Sequence, residues 1–137
     1  MNAGSLIPAQ RVCEIHDLIL TEEPGLAGQR EEDRLFGALA RVESTVEYEG
    51  VDDVFEIAGL YAMALARGHA FNDCNKRTAL VTSLTYLALQ GIEVPRYPVL
   101  EEMMVQVAQG GIGYKEVAEI LFALWDQTSA ASWDEIP

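Results

Sequence analysis

Apolar residues recur along this chain mostly at intervals of three and four, the spacing that lines one face of a helix. Val12, Ile15 and Ile19 share such a face and predict a first helix from about Pro8 to Thr21. Proline suits a first helical turn, where its missing N–H would be unbonded anyway. Pro24, Gly25 and Gly28 mark a loop after it. Leu35, Leu39, Val42 and Val46 predict a second helix over Glu31 to Tyr48, and its acidic start, Glu31-Glu32-Asp33, complements the helix dipole. Gly50 breaks that helix. Asp52 is the expected cap of a third, which carries Val54, Ile57, Ala58, Tyr61 and Leu65 inward, runs to Arg67 and is terminated by Gly68.

The fourth helix is expected from about Asn75 to Gln90, with Gly91 as its stop. Ala79, Leu80, Val81, Leu84, Tyr86, Leu87 and Leu89 cover most of its sides, which predicts a buried, central helix. Ile92 to Pro98 reads as an extended connection. A fifth helix holds Leu100, Met103, Met104 and Val107 and stops at Gly110-Gly111; a sixth holds Val117, Ile120, Leu121 and Leu124. Residues 1–5 and 128–137 are expected to be flexible ends. No alternation of period two persists beyond about five residues. The expected fold is all-α: one domain over residues 1–137, a compact bundle of about six helices around the fourth.

Half of the residues are apolar, enough for a single core without staples. Cys13 and Cys74 lie far apart and form no Cys-x-x-Cys pair, which points to a reduced, intracellular protein. The longest apolar stretch, Thr78 to Leu89, falls well short of the roughly twenty residues that span a bilayer. The start, Met-Asn-Ala-Gly-Ser, lacks the pattern of a secretory signal. These features together predict a cytoplasmic protein with no membrane partner.

The net charge of −13, from 22 acidic and 9 basic residues, opposes non-specific nucleic-acid binding. Yet Arg67, Lys76 and Arg77 fall within eleven positions. A cationic spot in an acidic chain suggests a specific small anion such as a nucleotide.

Those cations belong to the most informative stretch, Arg67-Gly68-His69-Ala70-Phe71-Asn72-Asp73-Cys74-Asn75-Lys76-Arg77-Thr78-Ala79, between the third and fourth helices. A helix N-terminus presents unbonded N–H groups and a positive dipole end, so it attracts phosphate. Asn75, Lys76 and Arg77 sit at that terminus. Two cations there disfavour the helix itself, so an anion should offset them. Asp73 is either the N-cap of the fourth helix or a carboxylate ligand for Mg²⁺. His69 lies just upstream and is the residue type that takes a proton near neutral pH. A base, a metal-binding carboxylate and a phosphate cradle are the parts of a phosphoryl-transfer site that acts on a substrate hydroxyl. Neither a Walker A loop nor the kinase Gly-rich, His-Arg-Asp or Asp-Phe-Gly elements occur, so any nucleotide is held by another device.

The pattern His-x-Phe-x-Asp-x-Asn-Lys-Arg, six fixed identities in nine positions, resembles the signature of the Doc (death-on-curing) branch of the Fic/Doc family. The resemblance extends from about Ile15 to Trp125, with looser matches at Leu39-Ala-Arg-Val and Tyr48-Glu. It implies a helical bundle around the motif helix, with His69 activating a target hydroxyl, Asp73 binding Mg²⁺ and Asn75, Lys76 and Arg77 holding ATP phosphates. Phe71 would anchor the loop from inside. Adenylyl-transferring relatives read Gly-Asn-Gly-Arg-x-x-Arg here, whereas this chain has Lys76 at the second glycine and Leu80 at the second arginine. In Doc-like relatives that change accompanies transfer of the γ-phosphate of ATP to a threonine of elongation factor Tu, which stops translation. The resemblance also implies an antitoxin whose amphipathic helix lies in a groove. Adenylyl transfer, and a catalytically silent binding module ruled by its partner, are the alternatives.

Other residues have plainer readings. Arg67 either binds phosphate or stabilises the end of the third helix. His16 beside Asp17 is expected to be a solvated or satisfied histidine and no metal ligand. Cys74, where relatives carry Gly or Ala, lies in surroundings that lower a thiol pKa, but it lacks the partners of a nucleophile or redox pair. Met103 and Met104 are expected core filling. The acidic cluster Glu31 to Asp33 is expected to be a solvated helix start; the resemblance also places it beside the substrate groove, since in relatives this region forms a flap that docks the target.

Overall fold

The computed structural model describes residues 6–22, 32–70 and 74–134. Six helices follow one another: α1 (Ala9–Glu22), α2 (Glu32–Tyr48), α3 (Val54–Gly68), α4 (Asn75–Leu89), α5 (Pro98–Ala108) and α6 (Tyr114–Asp134). No strand occurs among the described residues, so the all-α expectation holds. No helix among them is long and apolar enough to cross a membrane.

The motif helix α4 buries Thr78, Ala79, Leu80, Thr82, Ser83, Tyr86 and Leu87 and packs against α1, α3 and α5. It shares the centre of the bundle with α3, which buries ten of its fifteen residues and touches α2, α4, α5 and α6. The two central helices are joined by more than apolar contact. Ser83 Oγ donates to the Ala58 carbonyl at 2.9 Å, and the Tyr61 and Tyr86 rings stand 5.6 Å apart. The Tyr61 hydroxyl also accepts from the Ile7 N–H at 2.7 Å, which ties the segment before α1 to the core. Leu89, one of the residues that make α4 apolar on most sides, is 65% exposed, so the far end of this helix reaches the surface.

α6 crosses the start of α3 through Phe55, Phe122 and Trp125. Phe55 meets Phe122 edge to face with centroids 5.4 Å apart, a favoured aromatic geometry. Gly59 permits the closest approach, because a methyl group there would run into the Tyr114 carbonyl.

Three boundaries differ from the sequence expectation. The cap of α3 is Asp53, whose Oδ1 accepts from the N–H groups of Phe55 (2.8 Å) and Glu56 (3.4 Å). Asp52, the expected cap, lies one residue too early to reach those two donors. Gly68 remains helical, and His69 takes the left-handed turn that ends α3. Finally, residues 135–137 lie outside the described residues, but α6 runs on to Asp134, past the expected start of the loose end at residue 128. Thr128 is pinned there: its Oγ1 donates to the Leu124 carbonyl (2.9 Å) and lies 2.8 Å from the Tyr97 hydroxyl at the start of α5. The expected loose start, residues 1–5, lies outside the described residues.

Candidate active site

Backbone strain concentrates where α3 gives way to α4. His69 (φ 51°) and Cys74 (φ 64°) are the positive-φ residues other than glycine among those described. Left-handed backbone costs a side-chain-bearing residue on the order of 1 kcal/mol. Histidine visits it more readily than most, while a cysteine there is unusual. The two strained positions bracket the connection between the helices. Cys74 is buried with Ile15 and Ile19 of α1, and a methyl group on Gly68 would stand 3.3 Å from the Ala38 side chain of α2.

Between these positions opens a hollow of about 250 Å³ lined by His69, Cys74, Asn75, Lys76 and Arg77, with Ala66 and Ala108 as its remaining walls. His69 and Lys76 are exposed; Asn75 and Arg77 are half-buried. The hollow therefore receives an imidazole from the end of α3 and two cations from the first turn of α4, at the positive end of that helix's dipole. The Cys74 side chain makes no capping bond to this turn. Its sulfur instead accepts from Arg77 Nη1 at 3.3 Å. Chemically, the arrangement can hold an anion at the helix mouth while an imidazole stands at the rim to accept or donate a proton.

Of the residues singled out from sequence, His69, Asn75, Lys76 and Arg77 meet in this hollow. Arg67 does not join them. Its Nε donates to the Val107 carbonyl (2.8 Å) and its Nη2 to the Ile112 carbonyl (2.7 Å). It lines a separate trough of about 330 Å³ with Arg41, Val42, Leu60 and Met63. These bonds place the Arg67 guanidinium at the end of α5 and the turn beyond it. Phe71 and Asp73 lie outside the described residues, and so does Glu31 of the acidic cluster; Asp33 is exposed. Among the described residues no group of three or more His, Cys, Asp or Glu side chains could hold a metal ion. His16 is buried, 3% exposed, with Nδ1 3.8 Å from the Asp17 carboxylate, so it is an interior histidine and not a solvated one. Cys13 and Cys74 form no disulfide. Sequence reasoning missed Ala66 and Ala108, small residues whose only signal is the space they leave.

A bundle of this kind, with its histidine and cationic helix start around one hollow, matches the model of the Fic/DOC family over residues 6–87, more than half of the chain and all of α1 to α3 with most of α4. The chain belongs to that family, and within it to the Doc branch. It is 37% identical over 119 residues to the protein kinase Doc of Escherichia phage P1, a similarity that covers 87% of this chain and 94% of that protein.

Proposed function

We propose that this chain is a Doc-type toxin that moves the γ-phosphate of ATP to a hydroxyl of a protein. The observation that carries this reading is the single hollow shared by His69 and the first turn of α4. The name of the phage relative, a protein kinase, agrees with it. The identity of the eightieth residue supports γ-phosphate over adenylyl transfer: the position that holds a second arginine in adenylyl-transferring relatives is here Leu80, which is wholly buried.

In the proposed reaction the α4 N-terminus, with Asn75, Lys76 and Arg77, holds the terminal phosphate. His69 removes the proton of the target hydroxyl as its oxygen attacks phosphorus, and ADP departs with the electrons of the broken bond. Mg²⁺, with Asp73 as its expected ligand, would neutralise nucleotide charge when bound. The expected substrate is elongation factor Tu, whose modification would halt translation in the cytoplasm, and the expected controller is an antitoxin that lays a helix in a groove.

The test is label transfer. The purified chain is incubated with elongation factor Tu and ATP labelled at the α- or the γ-phosphate, and His69→Ala serves as the comparison. The proposal expects γ-label on the target, lost in His69→Ala while its circular dichroism is unchanged. Transfer of α-label would establish adenylyl transfer instead. Growth arrest on expression that persists in His69→Ala would favour a silent binding module.

A further inference from the structure

We infer that Cys74 is a positioning residue for the phosphate cradle, its sulfur holding the Arg77 guanidinium at the rim of the hollow. The inference rests on the reading of that hollow as the site of an ATP phosphate. Arg77 Nη1 donates to Cys74 Sγ at 3.3 Å, and both residues line the hollow. They stand three positions apart at the start of α4, a spacing that puts side chains on one face.

Two properties make this bond matter. Cys74 is 6% exposed, so its sulfur faces little competition from water, and a weak acceptor counts for more there. Arginine also has many rotamers, and one held in place before the nucleotide arrives loses less freedom on binding. The backbone supplies a further argument. At φ 64° glycine would sit without strain, whereas cysteine bears the cost of a β-carbon in left-handed backbone. A side chain at this point needs a compensating contact, and Arg77 provides one.

The rival role is space filling, since Cys74 also packs with Ile15 and Ile19. The roles predict different responses. A filler makes stability follow side-chain size and leaves nucleotide affinity alone. A positioning residue makes affinity follow the presence of an acceptor. Serine keeps an acceptor, alanine and glycine have none, and glycine alone relieves the strained φ.

The experiment measures Mg·ATP affinity by calorimetry, KM and kcat by label transfer, and the melting temperature for the whole chain and for Cys74→Ser, Cys74→Ala and Cys74→Gly. The expected result is a rise of about 3- to 10-fold in Kd and KM for ATP in the alanine and glycine variants, near-unchanged kcat, and serine within about twofold of the parent. An unchanged Kd in Cys74→Ala and Cys74→Gly, whatever their melting temperatures, would overturn this inference and leave the proposed function standing. A parent chain that binds no Mg·ATP would overturn both.

Discussion

Nε of Arg67 donates to the carbonyl of Val107 across the junction of α3 and α5, at 2.8 Å. A second bond from the same guanidinium, to Ile112 at 2.7 Å, reaches the turn before α6. One side chain therefore binds carbonyls at and beyond the end of α5, where the Val107 carbonyl also accepts from the Gly110 N–H at 3.1 Å. Ala108, next to Val107, walls the hollow, whereas Arg67 is not among the residues that line it. Arg67→Ala should lower unfolding free energy by about 1–2 kcal/mol, because charge-assisted bonds to carbonyls are lost. Urea denaturation checks the value. Unchanged stability with a large rise in KM for ATP would favour phosphate binding, the other of the two roles open to Arg67.

The cap of α3 offers a cleaner test of local structure. Asp53 satisfies two N–H groups of the first turn, and Asp52 makes neither bond. Asp53→Ala should destabilise by about 1 kcal/mol and Asp52→Ala by much less. Thermal melts of the two variants decide it, and equal losses would contradict the assignment.

Lys76 places stability and function in opposition. It is exposed on the first turn of α4, where a cation opposes the helix dipole. Lys76→Glu should therefore raise stability, by about 0.3–1 kcal/mol. The same change puts a negative charge where the proposed phosphate binds, so Mg·ATP affinity should fall at least about tenfold. Melting temperature and calorimetry on one preparation test both halves. A variant that loses stability and keeps ATP affinity would contradict the cradle.

Alkaline pH should expose the tyrosine pair of the core. Burial pushes the phenols of Tyr61 and Tyr86 from 10.0 up to about 12. For Tyr61 the Ile7 N–H pulls the other way, and the neighbouring Tyr86 and Glu43 charges add to the rise. Because the fold raises these values, it prefers the neutral phenols. Their contribution is complete below the unfolded value of 10.0 and is lost as pH climbs toward about 12. Urea midpoints should fall across that window, and the fall should be shallower in Tyr86→Phe. A midpoint that stays flat there would contradict the burial of the pair.

The helices were legible because their apolar positions keep the helical period and because Gly91 and Gly110 stop α4 and α5 with left-handed φ of 82° and 84°. The site was legible because five of its seven lining residues fall in one short motif. The remainder depends on facts that no local pattern carries. Two adjacent aspartates look alike as caps until the backbone decides which reaches Phe55. The left-handed turn at His69 was assigned to Gly68, the residue that adopts it most cheaply, but Gly68 is kept helical beside Ala38 of α2. The partners of Arg67 lie 40 and 45 residues away in sequence. Ala108 enters the hollow from α5, and the last turns of α6 carry too few large apolar residues to show a stripe.

The most direct measurement is a crystal structure of His69→Ala with Mg²⁺ and a non-hydrolysable ATP analogue. The terminal phosphate should lie at the start of α4, bonded to Lys76 and Arg77, with its phosphorus facing the space vacated by the imidazole. A triphosphate seated instead in the trough between α2 and α3, or one that presents its α-phosphate to that space, would contradict the account.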